Sequence, residues 1–169
     1  KISEDMIDPP MTNYNREVLY RIYDVSRFLP AGGGRCALAA LLGEGWYAQS
    51  RVWAVGGFRY GDPCLCAQLE IVYEDGQTQT VATGTEGWFS KCSPIVLNNL
   101  YGGETYDARL ETPDFADPDG EEDGWSPVEA DPVPKGALKL CLMPPVRVIR
   151  TLPAQSVRQV SGKEDGAWI

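Results

Sequence analysis

The sequence contains no histidine. That absence removes Ser–His and Cys–His nucleophile pairs and the HExxH zinc arrangement, because each needs an imidazole as base or ligand. Any catalysis by this chain would fall to carboxylates, lysines or tyrosines. No stretch approaches the ~20 consecutive apolar residues that span a bilayer. The opening residues, KISEDMIDPPMTNYN, lack the charged-then-apolar order of a signal peptide. Positive charge is scarce: 15 basic residues stand against 24 acidic ones, for a net charge of −9. Nucleic acids and anionic membranes need a basic patch, so neither is expected as a partner. The five cysteines (Cys36, Cys64, Cys66, Cys92 and Cys141) contain no CxxC. Scattered thiols without histidine argue against zinc and read as small buried hydrophobes of a reducing, cytoplasmic compartment. The chain also starts and stops abruptly, with KEDGAWI at its end, and reads as a piece of a longer protein.

What is present is punctuation. Eighteen glycines and 13 prolines interrupt the 169 residues every few positions, and no long stripe of 3.6-residue period survives between them. Short β-type runs fill the gaps: VLYRIYDV, CALAALLGEGWYA, CLCAQLEIVYEDG, TQTVATG, TYDARLE, KLCLMPPVRVIRTL and QSVRQV. Apolar and polar residues alternate on both sides of Asp75-Gly76, which predicts a hairpin. CALAALL, bounded by glycine-rich stretches, is read as a buried strand. Several short strands with turn signals at this spacing predict an all-β, antiparallel sandwich. The acidic, Pro- and Gly-rich stretch TPDFADPDGEEDGWSPVEADPVP reads as a surface connection within one domain.

Candidate chemistry concentrates in two places. In YGGETYDARLE, Glu104 and Asp107 lie three apart beside Arg109. On a strand such residues face opposite sides, about 10 Å apart along the backbone. Carboxylates that cleave a glycosidic bond must converge on one sugar, so this pair is not expected to be catalytic. Asp107 and Arg109 share a strand face and could form an ion pair or bind vicinal sugar hydroxyls. Glu104 could cap the preceding Gly-Gly turn or meet a ligand. The second place, GEGWYAQSRVWAVGGFRYGD, gathers Trp46, Tyr47, Trp53, Phe58 and Tyr60 among glycines, with Glu44, Arg51, Arg59 and Asp62 nearby. Core packing is the ordinary role of such rings; a sugar platform is the alternative. DPDGEEDGW invites a calcium reading but fails EF-hand spacing, leaving a solvated acidic loop or a loose oxygen-ligand site.

In order, the motifs TNYNREVLYRIYDVSRFL, LLGEGWYA, YGDPCLCAQLEIVYEDG, TGTEGWFSKCSPIVLNNLYGGETYDAR, EDGWSPV and LMPPVRVIRTL resemble the N-terminal β-sandwich domain of bacterial α-L-rhamnosidases. The resemblance covers nearly the whole chain. It implies a jelly-roll fold like that of galactose-binding domains over residues 1–155, with 156–169 starting the next β-domain or a returning strand. It implies a parent whose helical (α/α)6 barrel hydrolyses terminal α-L-rhamnosides with inversion, this fragment being non-catalytic. The fragment would then be an accessory domain that supports the barrel or recognises rhamnose-containing glycans. An autonomous, calcium-assisted L-rhamnose-binding module using Trp46, Tyr47, Tyr60, Glu104, Asp107 and Arg109 is the alternative. Two departures stand out: the early strand expected before KISEDM is missing, and Gln49 occupies a position where glycine is common.

Overall fold

The computed structural model describes residues 1–30, 32–50, 58–84, 86–120, 123–130 and 134–157. Its regular elements are strands: β1 (Glu17–Tyr20), β2 (Ala48–Gln49), β3 (Phe58–Arg59), β4 (Gln68–Val72), β5 (Thr78–Ala82), β6 (Phe89–Ser90), β7 (Ile95–Asn99), β8 (Gly103–Tyr106), β9 (Ser126–Pro127) and β10 (Ala137–Leu140). Among the described residues, helix is limited to two short 3-10 turns, Ser26–Phe28 and Ala108–Leu110. Glycine and proline at this density leave no segment long enough to repay helix nucleation, and the all-β class follows.

The strands pair as five two-stranded ladders. β2–β3, β4–β5, β6–β9 and β7–β8 are antiparallel, whereas β1 and β10 run parallel. A short turn can only return a strand antiparallel, but β1 and β10 are joined through most of the chain and are free of that constraint. The β4–β5 hairpin forms where the alternation predicts it, with Leu69 opposite Val81 and Ile71 opposite Gln79. Its loop holds three residues, Glu74 to Gly76. Gly76 N–H donates to the Tyr73 carbonyl at 3.0 Å, Tyr73 N–H donates to the Gln77 carbonyl at 2.9 Å, and only Gly76 takes positive φ, at 83°. This is a type I turn closed by a left-handed glycine.

CALAALL departs from expectation. Residues 36–42 form no strand, and Leu38, Leu41 and Leu42 are exposed. An apolar run becomes a strand only when a neighbour accepts its backbone hydrogen bonds, and none of the described ladders includes this one. QSVRQV forms no strand through residue 157, and its remainder lies outside the described residues. The cysteines depart as well: Cys141 alone is buried, and Cys36, Cys64, Cys66 and Cys92 are exposed.

The first residues are tied to the last described ones. Met6 N–H donates to the Val146 carbonyl at 2.9 Å, and Arg147 Nε donates to Asp5 Oδ1 at 2.7 Å. Arg21 grips both oxygens of Asp8, at 2.8 and 2.7 Å, and donates to the Cys141 carbonyl at 3.2 Å. Gly136 is where β10 enters beside β1; a Cβ there would lie 2.6 Å from both Glu17 N and Tyr14 O. The described residues that are buried are Ala48, Gln49, Asn99 and Cys141. Solvent meets 14061 Å² of the chain, against about 8,000 Å² for a compact monomer of this mass.

Candidate functional site

The best-buried part of the structure is polar. Gly45 to Tyr47 turn into β2, with Ala48 N–H donating to the Glu44 carbonyl at 2.9 Å. Across from them, β7 ends at Asn99 and turns through Leu100 to Gly102 into β8. Asn99 Oδ1 accepts from Tyr101 N–H at 3.0 Å and Gly102 N–H at 2.7 Å, which closes that turn. Asn99 Nδ2 donates to Ser50 Oγ at 3.2 Å, and Ser50 Oγ donates to Glu44 Oε2 at 2.8 Å. Asparagine suits this place because its short amide both caps a turn and reaches outward. The fit is close: a Cβ on Gly43 would lie 2.8 Å from Asn98 Oδ1, and one on Gly102 would lie 3.1 Å from Asn99 Oδ1.

Gln49, next to Ser50, is 2 % exposed, and neither its Oε1 nor its Nε2 has a hydrogen-bond partner. A buried amide without partners costs roughly 1–3 kcal/mol. The residue that departs from the glycine expected here is therefore the least satisfied polar side chain of the described structure.

Beside this node three tyrosine rings meet. Tyr47 and Tyr60 stack at 5.9 Å with an interplanar angle of 17°. Tyr14 stands edge-on to both, at 5.2 and 5.0 Å. Tyr60 N–H donates to the Tyr47 carbonyl at 2.9 Å, so backbone and rings hold the same two segments together. Burial pushes the Tyr14 phenol above its ordinary value, followed in effect by its two tyrosine neighbours. Edge-to-face and offset pairs are the favoured aromatic geometries. In this arrangement one face each of Tyr47 and Tyr60 is taken up by the other ring.

Of the six residues singled out in the sequence, the structure brings Tyr47 together with Tyr60 and Asp107 together with Arg109. Asp107 accepts from Arg109 Nε at 2.8 Å, from Arg109 Nη2 at 2.5 Å and from Arg109 N–H at 3.1 Å. Strand β8 stops at Tyr106, so Asp107 caps a 3-10 turn instead of sharing a strand face with Arg109. The guanidinium hydrogen bonds hold the Asp107 carboxyl below its usual range. Glu104 is exposed on β8 opposite Asn98. Asn99, and not Glu104, caps the Gly-Gly turn, one of the two roles open to Glu104 in the sequence. Tyr106 donates to Glu111 Oε1 at 2.6 Å, and that bond raises its phenol's pKa. Trp46 is half-buried in the turn before β2. Arg59 pairs with Asp62. Arg51 and Trp53 lie outside the described residues.

Sequence reasoning missed Tyr14, Ser50 and Asn99. An asparagine shortly before Gly-Gly is a readable turn signal; nothing local marks Tyr14 or Ser50. In the acidic loop, Asp114, Asp117 and Gly120 form successive turns, and Arg35 pairs with Asp119 at 2.9 Å. Glu121 and Glu122 lie outside the described residues. Among the described residues no group of three or more Asp, Glu, Cys or His is placed to share a metal ion. No described helix is long and apolar enough to cross a membrane.

Comparison with known proteins sets this geometry in context. The family model described as "Alpha-L-rhamnosidase N-terminal domain" matches residues 1–150. An α-L-rhamnosidase of Streptomyces avermitilis is 36 % identical over 161 residues, spanning 94 % of this chain and 15 % of the relative. One of Formosa agariphila is 30 % identical over 174 residues, spanning 100 % of this chain and 18 % of the relative. The solved α-L-rhamnosidase of "Dictyoglumus thermophilum" superposes with a TM-score of 0.73 at 28 % identity, over 94 % of this chain and 17 % of that one. The chain thus spans less than a fifth of the length of these relatives.

Proposed function

The chain belongs to the α-L-rhamnosidase N-terminal domain family, and on that premise we propose that it is a non-catalytic accessory domain of an α-L-rhamnosidase. The parent removes terminal α-L-rhamnose with inversion, using an acid and a base that lie elsewhere in the longer polypeptide. The ladders belong to a jelly-roll sandwich of galactose-binding type, a reading supported by the likeness to the solved rhamnosidase.

One observation carries the non-catalytic reading: the state of the two carboxylates. Asp107 is committed to Arg109 by three hydrogen bonds and is held ionised, which unfits it as a general acid. Glu104 is an exposed strand residue opposite Asn98, and Asp107, the acid nearest it in sequence, is the one taken up by Arg109. The test uses the full-length enzyme and an aryl α-L-rhamnoside. Glu104→Gln and Asp107→Asn are expected to leave kcat within about twofold of wild type. Loss by the ~10²–10⁴-fold typical of a missing acid or base would overturn the reading.

A second reading is direct sugar recognition. It draws on the half-buried Trp46, one turn from Glu44 and Ser50, whose Oε2 and Oγ are already linked by hydrogen bonding. The packing of Tyr14, Tyr47 and Tyr60 on one another favours the supporting role over this one, because it is the ordinary role of such rings. Calcium finds no fitting set of acidic ligands among the described residues. Titration calorimetry of the full-length enzyme with L-rhamnose separates the two. Binding lost in Trp46→Ala, with turnover of a simple aryl rhamnoside retained, would establish recognition at this site.

A further inference from the structure

In a chain of net charge −9, three basic residues converge on one cleft. The cleft, of about 320 Å³, opens between the first residues, the stretch that follows β1 and the segment at Arg147. Small-molecule sites span about 300–1,000 Å³, so there is room for a single sugar unit. Lys1, Arg27 and Arg147 line it, and Glu4 is the one acid among the described lining residues. Each cation retains unused donors. Lys1 Nζ donates to Glu4 Oε2 at 2.6 Å and carries two further protons. Arg147 uses Nε on Asp5 Oδ1, at 2.7 Å, and its two Nη groups form no hydrogen bond among the described residues. Arg27 forms neither a hydrogen bond nor an ion pair among the described residues; its guanidinium carbon stands 4.7 Å from the centroid of the Phe28 ring. Nearby Asp24 accepts from Ser26 N–H at 2.9 Å, and it is Ser26 first, and Arg27 least, that holds its carboxyl below the usual range. Tyr23 and Ile2 form the apolar wall of the cleft. The Tyr23 hydroxyl donates to Asp5 Oδ2 at 3.1 Å, so one carboxylate fixes Tyr23 and Arg147 as neighbours.

We propose that this cleft binds a saccharide bearing one negative charge, a uronate carboxylate or a sulfate ester, with its oxyanion on Arg27 and the Nη groups of Arg147 and its ring against Tyr23. The inference rests on the accessory-domain reading, which supplies the saccharide, and adds a site and the charge of its ligand. A guanidinium is a planar fork of donors that matches the paired oxygens of an oxyanion. Charge balance selects a single negative charge over two. Lys1 is offset by Glu4 and Arg147 by Asp5, which leaves Arg27 to be answered by the ligand. A neutral sugar would leave that cation and its donors to water. Nucleic acid, with a charge at every phosphate, needs a longer basic track than these three residues provide.

The test is saturation-transfer NMR on the full-length enzyme, with glucuronate, glucose 6-sulfate and glucose as probes. Each is run on the wild type and on Arg27→Gln, whose exposed, unbonded side chain can be replaced without disturbing the fold. Only the signal that this substitution removes belongs to the cleft, so binding elsewhere in the enzyme does not confuse the result. Glucuronate, glucose 6-sulfate or both are expected to lose signal about fivefold, since a charge-assisted bond is withdrawn, and glucose to lose none. Loss with one acid alone assigns the oxyanion. No loss with either acid, or an equal loss with glucose, would overturn the proposal. Inorganic phosphate at equal concentration is the competitor; if it abolishes the signal, the cleft takes a bare anion and the saccharide is overturned. Turnover by Glu104→Gln, measured on the same preparations, reports on the accessory reading separately, so each idea can fail without the other.

Discussion

The node around Asn99 and the run from Leu138 to Leu152 reverse the usual arrangement of polar and apolar residues. In the node, Gln49 and Asn99 are buried and Glu44, Ser50 and Asn99 are linked by hydrogen bonds. In the run, leucine, valine and isoleucine face solvent. Hydrogen bonds between side chain and turn can be completed within the domain, so the node is self-sufficient apart from Gln49. Apolar side chains gain only when something covers them, at about 25 cal/mol per Å². The node is therefore where this domain holds itself together, and the exposed side chains of the run add little to that.

The contrast makes graded predictions for the stability of the domain, read as shifts in its denaturant midpoint. The largest effect is expected from Asn99→Ala, which removes three hydrogen bonds and uncaps the β7–β8 turn. At about 1 kcal/mol for each bond the loss is about 3 kcal/mol. A shift under a third of that would show that the node is not the anchor. Next comes Gly136→Ala, whose Cβ would press on two backbone atoms at 2.6 Å. Overpacking of this kind costs about 1–3 kcal/mol, and the β1–β10 ladder should lose exchange protection with it. An unchanged ladder would mean the strands simply part at no cost.

Gln49→Met has the opposite sign. Replacing an unpartnered buried amide by a side chain of similar length is expected to stabilise the domain by roughly 1–2 kcal/mol. Destabilisation would show that the amide has a partner and that the node is larger than described. A smaller effect is pH-dependent. Asp107 is held below the ordinary carboxylate range, so its contribution is complete above that range and disappears as pH falls through the depressed value. Asp107→Asn should remove that contribution near neutrality, a small loss for a pair so exposed, and flatten the acid limb with it. Smallest of all is Leu142→Ala in the run, expected within ±0.5 kcal/mol in the domain by itself because the side chain already meets water. A cost of several kcal/mol there would erase the contrast.

What the sequence shows and what it hides follows from the range of the interactions. The β4–β5 hairpin was readable because its alternation and its glycine are local. The Asp107–Arg109 pair was readable for the same reason, although its backbone is a 3-10 turn and not a strand. CALAALL misled because apolar composition measures the appetite for burial without showing whether a neighbouring strand arrives. Tyr14 could not be found: it reaches Tyr47 and Tyr60 only because the chain folds back on itself. Asn99 was overlooked in favour of the charged Glu104, when the turn required an amide able both to accept and to donate.

The parallel pairing of Glu17–Tyr20 with Ala137–Leu140 sets an order of events during synthesis. The first strand leaves the ribosome long before its partner exists, whereas β4–β5 and β7–β8 can close as soon as they emerge. Joining residue 17 to residue 137 also closes the longest loop of any ladder here, with the greatest entropic cost. The nascent domain thus waits as a set of finished hairpins around an unmatched leading strand, and its assembly becomes cooperative only when Leu140 clears the exit tunnel.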